Sequence, residues 1–298
     1  MIDRIDPPRP AYLVGLIGAG IGPSLSPALH MREARHHGLD YLYRTIDLAE
    51  LGLPPESIGS LLAQARDLGY DALNITHPCK RLVLDHLDQI SPDAAMLGAV
   101  NTVLFQDGRA IGHNTDWSGF ASSFVRGLPA ARTDRVTQLG AGGAGAAVAH
   151  AILTLGADKL TVVDVDRERG AALAGELSDR FGPGRAVSAD SSQLADVLRS
   201  SDGLIHATPT GMADHPGLPL PVGHLHPGLW VADIVYRPID TALLQAARSL
   251  GCPTLNGGAM AVFQAADAFE LITSTALDHE RMLAHLVELV TRDELIGS

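Results

Sequence analysis

The chain has 298 residues, of which 46% are hydrophobic, and a formal net charge of −12 from 22 basic and 34 acidic side chains. This composition is typical of a globular protein and excludes a disordered one, and the length predicts two domains. Basic residues are scattered and only 4% of residues are aromatic, which argues against nucleic acid and anionic membranes as partners. Cys79 and Cys252 cannot form a disulfide framework, which favours a reducing, cytoplasmic setting.

In the first third of the chain, short apolar runs alternate with helical patterns, as in an α/β protein with a mainly parallel sheet. The first eight residues are charged from the third onward and lack the apolar centre of a secretory signal. The first helix is predicted to begin at Ser26, whose side chain can cap it, with Pro27 at the first helical position. The predicted strands cover residues 12–17, 41–46, 72–75 and 100–105, and a second helix covers 55–67.

From residue 135 the pattern becomes regular and predicts a βαβαβ unit. Its strands are expected at 136–139, 160–164 and 186–188, and its helices at 144–155 and 167–180. Apolar runs that would extend the sheet lie at 203–206 and 229–234, and further helices are predicted at 259–272 and 279–292. We expect the domain boundary within residues 114–134, before this unit begins.

Lysine is almost absent from the chain. Of the 22 basic residues, only Lys80 and Lys159 are lysines and the other 20 are arginines. An ammonium can lose its proton near neutral pH when it is desolvated, whereas a guanidinium cannot, so a retained lysine is a candidate for proton transfer. The alternative for each lysine is chance retention.

The segment Gly140-Ala141-Gly142-Gly143-Ala144-Gly145 follows a predicted strand and opens a predicted helix. This is the context that a GxGxxG dinucleotide-binding turn requires. The first glycine permits the tight turn, the second lets a pyrophosphate approach the backbone, and the third lets the helix pack on the strand. The glycines also argue against a membrane span over the uncharged residues 136–157.

Asp164 ends the next predicted strand, where a carboxylate can accept hydrogen bonds from the adenosine ribose. A 2′-phosphate at this position would meet a like charge, so the sequence favours NAD over NADP. Arg167 and Arg169 follow at the start of the next helix and could reduce that repulsion, but we interpret them as solvated charges.

Three polar clusters mark the first domain. Residues 74–80 leave a strand and include Lys80, and the C-terminal ends of strands are where ligands bind in open α/β sheets. The other two clusters are Asn101-Thr102 and residues 112–116. Each of these alone is more typical of a turn or a helix cap.

In order along the chain, these motifs resemble those of the shikimate/quinate dehydrogenase family, and the resemblance extends over nearly the whole sequence. The matching segments are 24–27 (SxSP), 74–80 (NxTxPxK), 98–102 (GAxNT), 112–116 (GxNTD), 140–145 (the glycine turn), 207–212 (ATPxGM), 235–236 (VY) and 260–265 (MxxxQA). The sequence Asp164-Val165-Asp166 resembles the NAD-dependent quinate/shikimate branch, since NADP-dependent members commonly carry Asn-Arg-Thr there.

The resemblance implies an α/β substrate domain at 1–115, a Rossmann-like NAD domain at 116–256, and C-terminal helices at 257–298 that return to the substrate domain. The implied reaction is reversible hydride transfer that interconverts shikimate with 3-dehydroshikimate and, as a further substrate pair, quinate with 3-dehydroquinate. Lys80 matches the family's general acid/base and Asp116 its paired aspartate. A carboxylate can orient both the ammonium and the reacting hydroxyl.

The same resemblance assigns binding roles to further residues. Ser24 and Ser26 would bind the substrate carboxylate, and Tyr236 would lie near both ligands. The substrate hydroxyls would be held by Thr76, Asn101, Asp116 and Gln264. The implied cofactor-binding residues are Gly140, Ala141, Gly142, Gly143, Ala144, Gly145, Asp164, Thr208, Ile234 and Gly257.

Two departures from the family pattern, Pro23 and Trp117, are expected to affect loop shape or substrate access. Ser26, where other members have threonine, suggests that shikimate is accepted at least as well as quinate. Two alternatives stay open: a dehydrogenase of an amino-substituted shikimate or quinate, and a non-catalytic protein that senses NAD or a metabolite. The histidines match no metal-binding pattern, and the partner is expected to be a small molecule bound by a monomer or homodimer.

Overall fold

The computed structural model describes residues 10–213 and 215–296, so the N-terminal residues predicted to lack a secretory signal lie outside the described part. The chain divides into two compact units. The first contains residues 1–115 and 265–298, and the second contains residues 116–264. The second division falls at 264/265, inside a helix, whereas the sequence motifs placed it at 256/257.

The first unit is built on a six-stranded sheet of order β2-β1-β3-β5-β6-β4. Its strands are β1 (Ala11–Gly18), β2 (Asp40–Asp47), β3 (Ala72–Ile75), β4 (Gln89–Ile90), β5 (Thr102–Gln106) and β6 (Arg109–His113). Strand β5 runs antiparallel to both β3 and β6. The sequence pattern missed β4 and β6. The β5–β6 hairpin turns at Asp107-Gly108, where both residues have positive φ, and a DG pair is a strong hairpin signal.

The helices of the first unit cover the sheet. They are α1 (Ser26–His36), α2 (Leu48–Leu51), α3 (Ile58–Asp67), α4 (Pro92–Leu97) and α11 (His279–Ile296). Helix α1 does begin at Ser26, but Leu25 occupies the capping position and no side chain caps it, so the predicted capping role of Ser26 is wrong. Helix α11 is held to α1 by Arg281, which forms a two-pronged ion pair with the buried carboxylate of Glu33.

The second unit is built on a six-stranded, fully parallel sheet of order β12-β11-β10-β7-β8-β9. Its strands are β7 (Arg135–Leu139), β8 (Lys159–Val163), β9 (Ala186–Ala189), β10 (Gly203–His206), β11 (Trp230–Asp233) and β12 (Thr254–Leu255). Its helices are α5 (Asp116–Gly127), α6 (Gly143–Thr154), α7 (Arg167–Phe181), α8 (Leu194–Arg199) and α9 (Ala242–Ser249), and α10 (Gly257–Thr273) contributes residues to both units. This strand order is that of a dinucleotide-binding Rossmann fold, which confirms the predicted fold class.

Trp117 packs against the apolar core of the second unit. Its ring meets that of the buried His150 edge-on, with ring centroids 5.5 Å apart. This contact gives Trp117 a packing role within α5 and α6. Among the described helices, none has both the length and the apolar character needed to cross a membrane.

Candidate active site

The glycine turn between β7 and α6 contains two kinds of glycine. Gly140 has a φ of +99°, and a Cβ atom there would lie 2.4 Å from the Ala207 carbonyl oxygen. A Cβ atom at Gly145 would lie 2.4 Å from the Gly140 carbonyl oxygen. Cβ atoms at Gly142 and Gly143 would meet no protein atom within 4 Å. Gly140 and Gly145 therefore close the turn, whereas Gly142 and Gly143 leave room for an anion at the N-terminus of α6.

Asp164 follows β8 and lies directly beside this turn. Its Oδ2 atom accepts a hydrogen bond from the Ala141 backbone N–H at 2.7 Å, and its Oδ1 atom accepts one from the Asp166 N–H at 2.8 Å. Burial raises the pKa of Asp164, but the Arg169 guanidinium and these two backbone donors outweigh it and hold the pKa below its usual value. The carboxylate is therefore negatively charged at neutral pH.

Arg169 is more than a solvated charge, because its half-exposed side chain pairs with Asp164, so the interpretation as a solvated charge alone is wrong. Its Nη2 and Nε atoms bind the two oxygens of Asp164 at 2.7 and 3.2 Å. The residue lies in the first turn of α7, from which its side chain reaches back to the end of β8. Arg167, by contrast, pairs with Asp190 while its own side chain stays 77% exposed.

The other predicted cofactor-binding residues lie on the loops that follow β10 and β11. Thr208 follows β10 and lies against the glycine turn, because a Cβ atom at Gly140 would be 3.0 Å from its Cγ2 atom. Ile234 follows β11, and a Cβ atom at Gly257 would lie 2.2 Å from the Ile234 carbonyl oxygen. The structure thus brings Ile234 and Gly257 into contact, although they lie 23 positions apart in the sequence. Burial raises the pKa of the nearby Tyr236.

In the first unit, the ends of β1 and β3 bring Thr76 next to Gly18, after which the chain leads through a loop to Ser24 and to Ser26 at the start of α1. The Thr76 backbone N–H donates to the Ile17 carbonyl at 2.9 Å, and the Ser24 hydroxyl oxygen accepts the Ser26 N–H at 3.3 Å. A side chain at Gly18 would collide with the Thr76 methyl group, since its Cβ atom would be 2.3 Å away. Gly18 and Thr76 lie at the C-terminal strand ends, where ligands bind in open α/β sheets.

Asn101 is held by a network of side chains. Its Oδ1 atom accepts the Thr115 backbone N–H and its Nδ2 atom donates to the Thr115 hydroxyl, both at 2.9 Å. The Val100 N–H donates to the Lys80 carbonyl at 2.8 Å, which fixes the Lys80 backbone beside Asn101. Lys159, the other lysine, is exposed at the opposite end of its strand. Of the two lysines, only Lys80 lies near the binding edge of its sheet.

Asp116 and Gln264 are both in the second unit, on helices that contact each other. Asp116 is the first residue of α5, and it is buried. One turn later, a Cβ atom at Gly119 would lie 2.7 Å from the Gln264 backbone nitrogen on α10. Gly119 therefore allows the close approach that brings these two predicted substrate-binding residues to one pair of helices.

The chain is also similar in sequence to known proteins. The sequence model of the shikimate dehydrogenase substrate binding domain matches residues 16–103. A Streptomyces avermitilis protein named shikimate dehydrogenase (NADP(+)) is 65% identical over 279 residues, which cover 94% of this chain and 96% of the relative. The chain belongs to the shikimate dehydrogenase family.

Other members of the shikimate dehydrogenase family differ in the cofactor that they are named for. A Corynebacterium glutamicum protein named quinate/shikimate dehydrogenase (NAD(+)) is 46% identical over 91% of this chain and 96% of its own length. The structure of quinate dehydrogenase from Corynebacterium glutamicum in complex with NAD superposes with a TM-score of 0.89 at 44% identity, covering 94% of this chain and all of that one. The comparisons therefore support a nicotinamide dinucleotide and leave the choice between NAD and NADP to the site itself.

Sequence reasoning about this shikimate dehydrogenase family member missed two supporting residues. Gln138 is a buried polar residue near the end of β7, and its Nε2 atom donates to the carbonyls of Gly140 and Gly145 at 2.8 Å each. Asp47 accepts the N–H groups of Gly20 and Ile21 at 2.9 and 2.7 Å, which fixes the loop before Ser24. Burial raises the pKa of Asp47, but these and two further backbone donors hold it below its usual value.

Within residues 10–213 and 215–296, no group of three or more histidine, cysteine or acidic side chains is placed to hold a metal ion.

Proposed function

We propose that the protein is an NAD-dependent dehydrogenase that interconverts shikimate and 3-dehydroshikimate and also accepts quinate. The observation that carries this proposal is the ionised Asp164 carboxylate beside the glycine turn. In this proposal the second unit binds the dinucleotide.

The preference for NAD follows from charge. The Asp164 side chain is 3% exposed and accepts four hydrogen bonds, two of them from Arg169. A carboxylate has about four acceptor positions, so a ribose diol reaches it when Arg169 gives up its two bonds. A 2′-phosphate would instead place a second negative charge next to this partly buried carboxylate, which is unfavourable.

NADP use is the second candidate. The Streptomyces avermitilis relative is named for NADP, and the Arg169 side chain is 49% exposed. If a 2′-phosphate drew Arg169 away from Asp164, the guanidinium could bind it with two parallel hydrogen bonds. The two candidates therefore differ in whether Asp164 or Arg169 meets the 2′ position.

We assign the proton transfer to Lys80. Its amine would take the proton of the reacting hydroxyl during oxidation and return it during reduction, and the Asp116 carboxylate would orient the ammonium and the hydroxyl. Ser24 and Ser26 would bind the substrate carboxylate through their hydroxyl groups, and Thr76, Asn101 and Gln264 would hold the ring hydroxyls. The bound nicotinamide supplies the hydride acceptor.

Initial rates of nicotinamide reduction, with shikimate and quinate each paired with NAD and NADP, test this proposal. We expect rates with NAD to exceed those with NADP for both substrates. Faster rates with NADP would support the second candidate. No rate in any combination would overturn the proposed reaction, and a panel of amino-substituted substrates together with NADH binding would then separate a related dehydrogenase from a sensor.

A further inference from the structure

A buried pair of charged and polar groups lies beneath the Thr208 loop. His206 ends β10 and Asp233 ends β11, and both side chains are fully buried. The His206 Nδ1 atom lies 2.9 Å from Asp233 Oδ1, and its Nε2 atom lies 2.5 Å from the Thr208 hydroxyl oxygen. The three residues form one chain of hydrogen bonds from the sheet to the loop.

The hydrogen-bond donors around Asp233 determine which group donates and which accepts in each of these hydrogen bonds. Its Oδ2 atom accepts the Thr241 hydroxyl at 2.7 Å, and its Oδ1 atom also accepts the Val235 backbone N–H at 3.0 Å. An ionised carboxylate only accepts, so the proton between Asp233 and His206 belongs to His206 Nδ1. In the neutral imidazole Nε2 is then an acceptor.

With the His206 ring in this neutral form, the Thr208 hydroxyl donates its proton to Nε2. One lone pair of the Thr208 oxygen accepts the Thr210 backbone N–H at 3.3 Å. The remaining lone pair can accept a hydrogen bond but the hydroxyl has no second proton to donate. Thr208 lies against the glycine turn, because a Cβ atom at Gly140 would be 3.0 Å from its Cγ2 atom.

We propose that Asp233 and His206 are positioning residues that orient the Thr208 hydroxyl so that it acts only as an acceptor toward the bound dinucleotide. Its partner is then an N–H or O–H group of the cofactor, a carboxamide or a ribose hydroxyl, and never a phosphate oxygen. This inference rests on the proposed function, because it takes the loop after β10 to contact the dinucleotide.

The protonation of His206 is measured directly by long-range ¹H–¹⁵N NMR of the full chain, with the His206→Asn spectrum used for assignment. We expect Nδ1 to carry the proton and Nε2 to show the shift of an unprotonated ring nitrogen. A proton on Nε2, in either the other tautomer or the imidazolium, would overturn the inference.

Variants of Thr208 test the consequence for binding, with the Kd for NADH followed by its fluorescence and the KM for NAD followed by turnover. Thr208→Val should raise both by about 3- to 10-fold, the range expected for one neutral hydrogen bond, while Thr208→Ser should restore them. The KM for shikimate should stay unchanged. Thr210→Val is the matched control, because the same loop keeps the Thr210 backbone N–H. Unchanged dinucleotide binding in Thr208→Val would overturn the inference.

A double-mutant cycle with His206→Asn then shows whether the two residues act together. We expect that Thr208→Val has little further effect on NADH binding in the His206→Asn background. Additive effects would overturn the coupling. If His206→Asn does not fold, His206→Gln takes its place, and the Thr208 series and the wild-type spectrum decide the inference.

The results also separate this inference from the proposed function. If Thr208→Val keeps the wild-type turnover and KM for NAD, the role of Thr208 is contradicted but the proposed reaction is not. If the wild type shows no turnover but Thr208→Val weakens NADH binding, the proposed reaction is contradicted but the role of Thr208 is not.

Discussion

The two sheets position their functional groups in different ways. In the second unit, the binding turn consists of consecutive residues, and its glycines and backbone N–H groups do most of the positioning. In the first unit, the polar groups are side chains from distant segments, as in the contact between Asn101 and Thr115. We therefore expect replacement of the turn glycines to disrupt the second unit. In the first unit, loss of polar side chains should instead reduce catalysis and substrate binding.

The largest effect is expected at Lys80. Lys80→Ala should lower kcat by about 10²- to 10⁴-fold, the usual contribution of a general acid/base, and leave the melting temperature unchanged. Lys80→Arg should not restore activity because a guanidinium does not release its proton. Lys159→Ala is the matched control and should behave like the wild type. Near-wild-type turnover by Lys80→Ala would contradict the assigned role.

Gly140 and Gly142 test whether the turn depends on the backbone alone. Gly140→Ala forces a side chain onto a φ of +99° and against the Ala207 carbonyl, so we expect a loss of at least about 2 kcal/mol of unfolding free energy. Gly142→Ala meets no protein atom within 4 Å and should keep its stability but raise the KM for the dinucleotide. Denaturant unfolding and initial rates measure both. Equal stabilities of the two variants would refute the distinction.

His30 gives the first unit a predictable response to pH. It is buried among aromatic rings, and burial lowers its pKa from 6.5 to about 4. The unfolded chain therefore binds this proton at a higher pH than the folded one, and stability should fall by about 3 kcal/mol as the pH drops from 6.5 to 4. The His30→Gln variant should show a flatter pH dependence of unfolding free energy, whereas the exposed His36→Gln should keep the wild-type slope.

Asp164 and Arg169 are an exception to the contrast between the two units. Here we expect side chains, rather than the backbone, to determine which dinucleotide the second unit prefers. Asp164→Ser removes the charge that opposes a 2′-phosphate and releases Arg169, so the ratio of kcat/KM for NAD to that for NADP should fall about 10- to 100-fold. The double variant with Arg169→Ala should lose the gain in NADP use. An unchanged ratio in Asp164→Ser would show that neither residue determines cofactor choice.

The smallest effect is expected at Tyr43, whose hydroxyl binds a side chain at the binding edge of the first sheet. Its hydroxyl donates to Asn74 Oδ1 at 2.7 Å, and Asn74 in turn donates to Thr102 at 3.1 Å. Tyr43→Phe should cost about 1 kcal/mol of unfolding free energy and raise the KM for shikimate a few-fold. Tyr70→Phe, at a tyrosine that packs on the apolar core of the same unit, should change the KM little.

The sequence allowed accurate prediction where structure depends on neighbours along the chain. The regular alternation after residue 135 placed five of the six strands of the second sheet and missed only the two-residue strand β12. The prediction was weaker where it depended on other contacts: Arg169 reaches back to Asp164, α1 begins without a side-chain cap from Ser26, and the antiparallel strand β5 makes the first sheet mixed. The pattern of residue types along one sequence does not show which groups far apart in the chain will form a hydrogen bond.

The discontinuity of the first unit affects the order in which the protein is completed during synthesis. Residues 116–264 form the second unit from one continuous stretch, while the first needs residues 265–298 in addition to 1–115. The partner that Glu33 binds, Arg281, leaves the ribosome only after the whole second unit has been made. Because domains fold as units while the chain emerges, the part of the protein that is begun first is finished last.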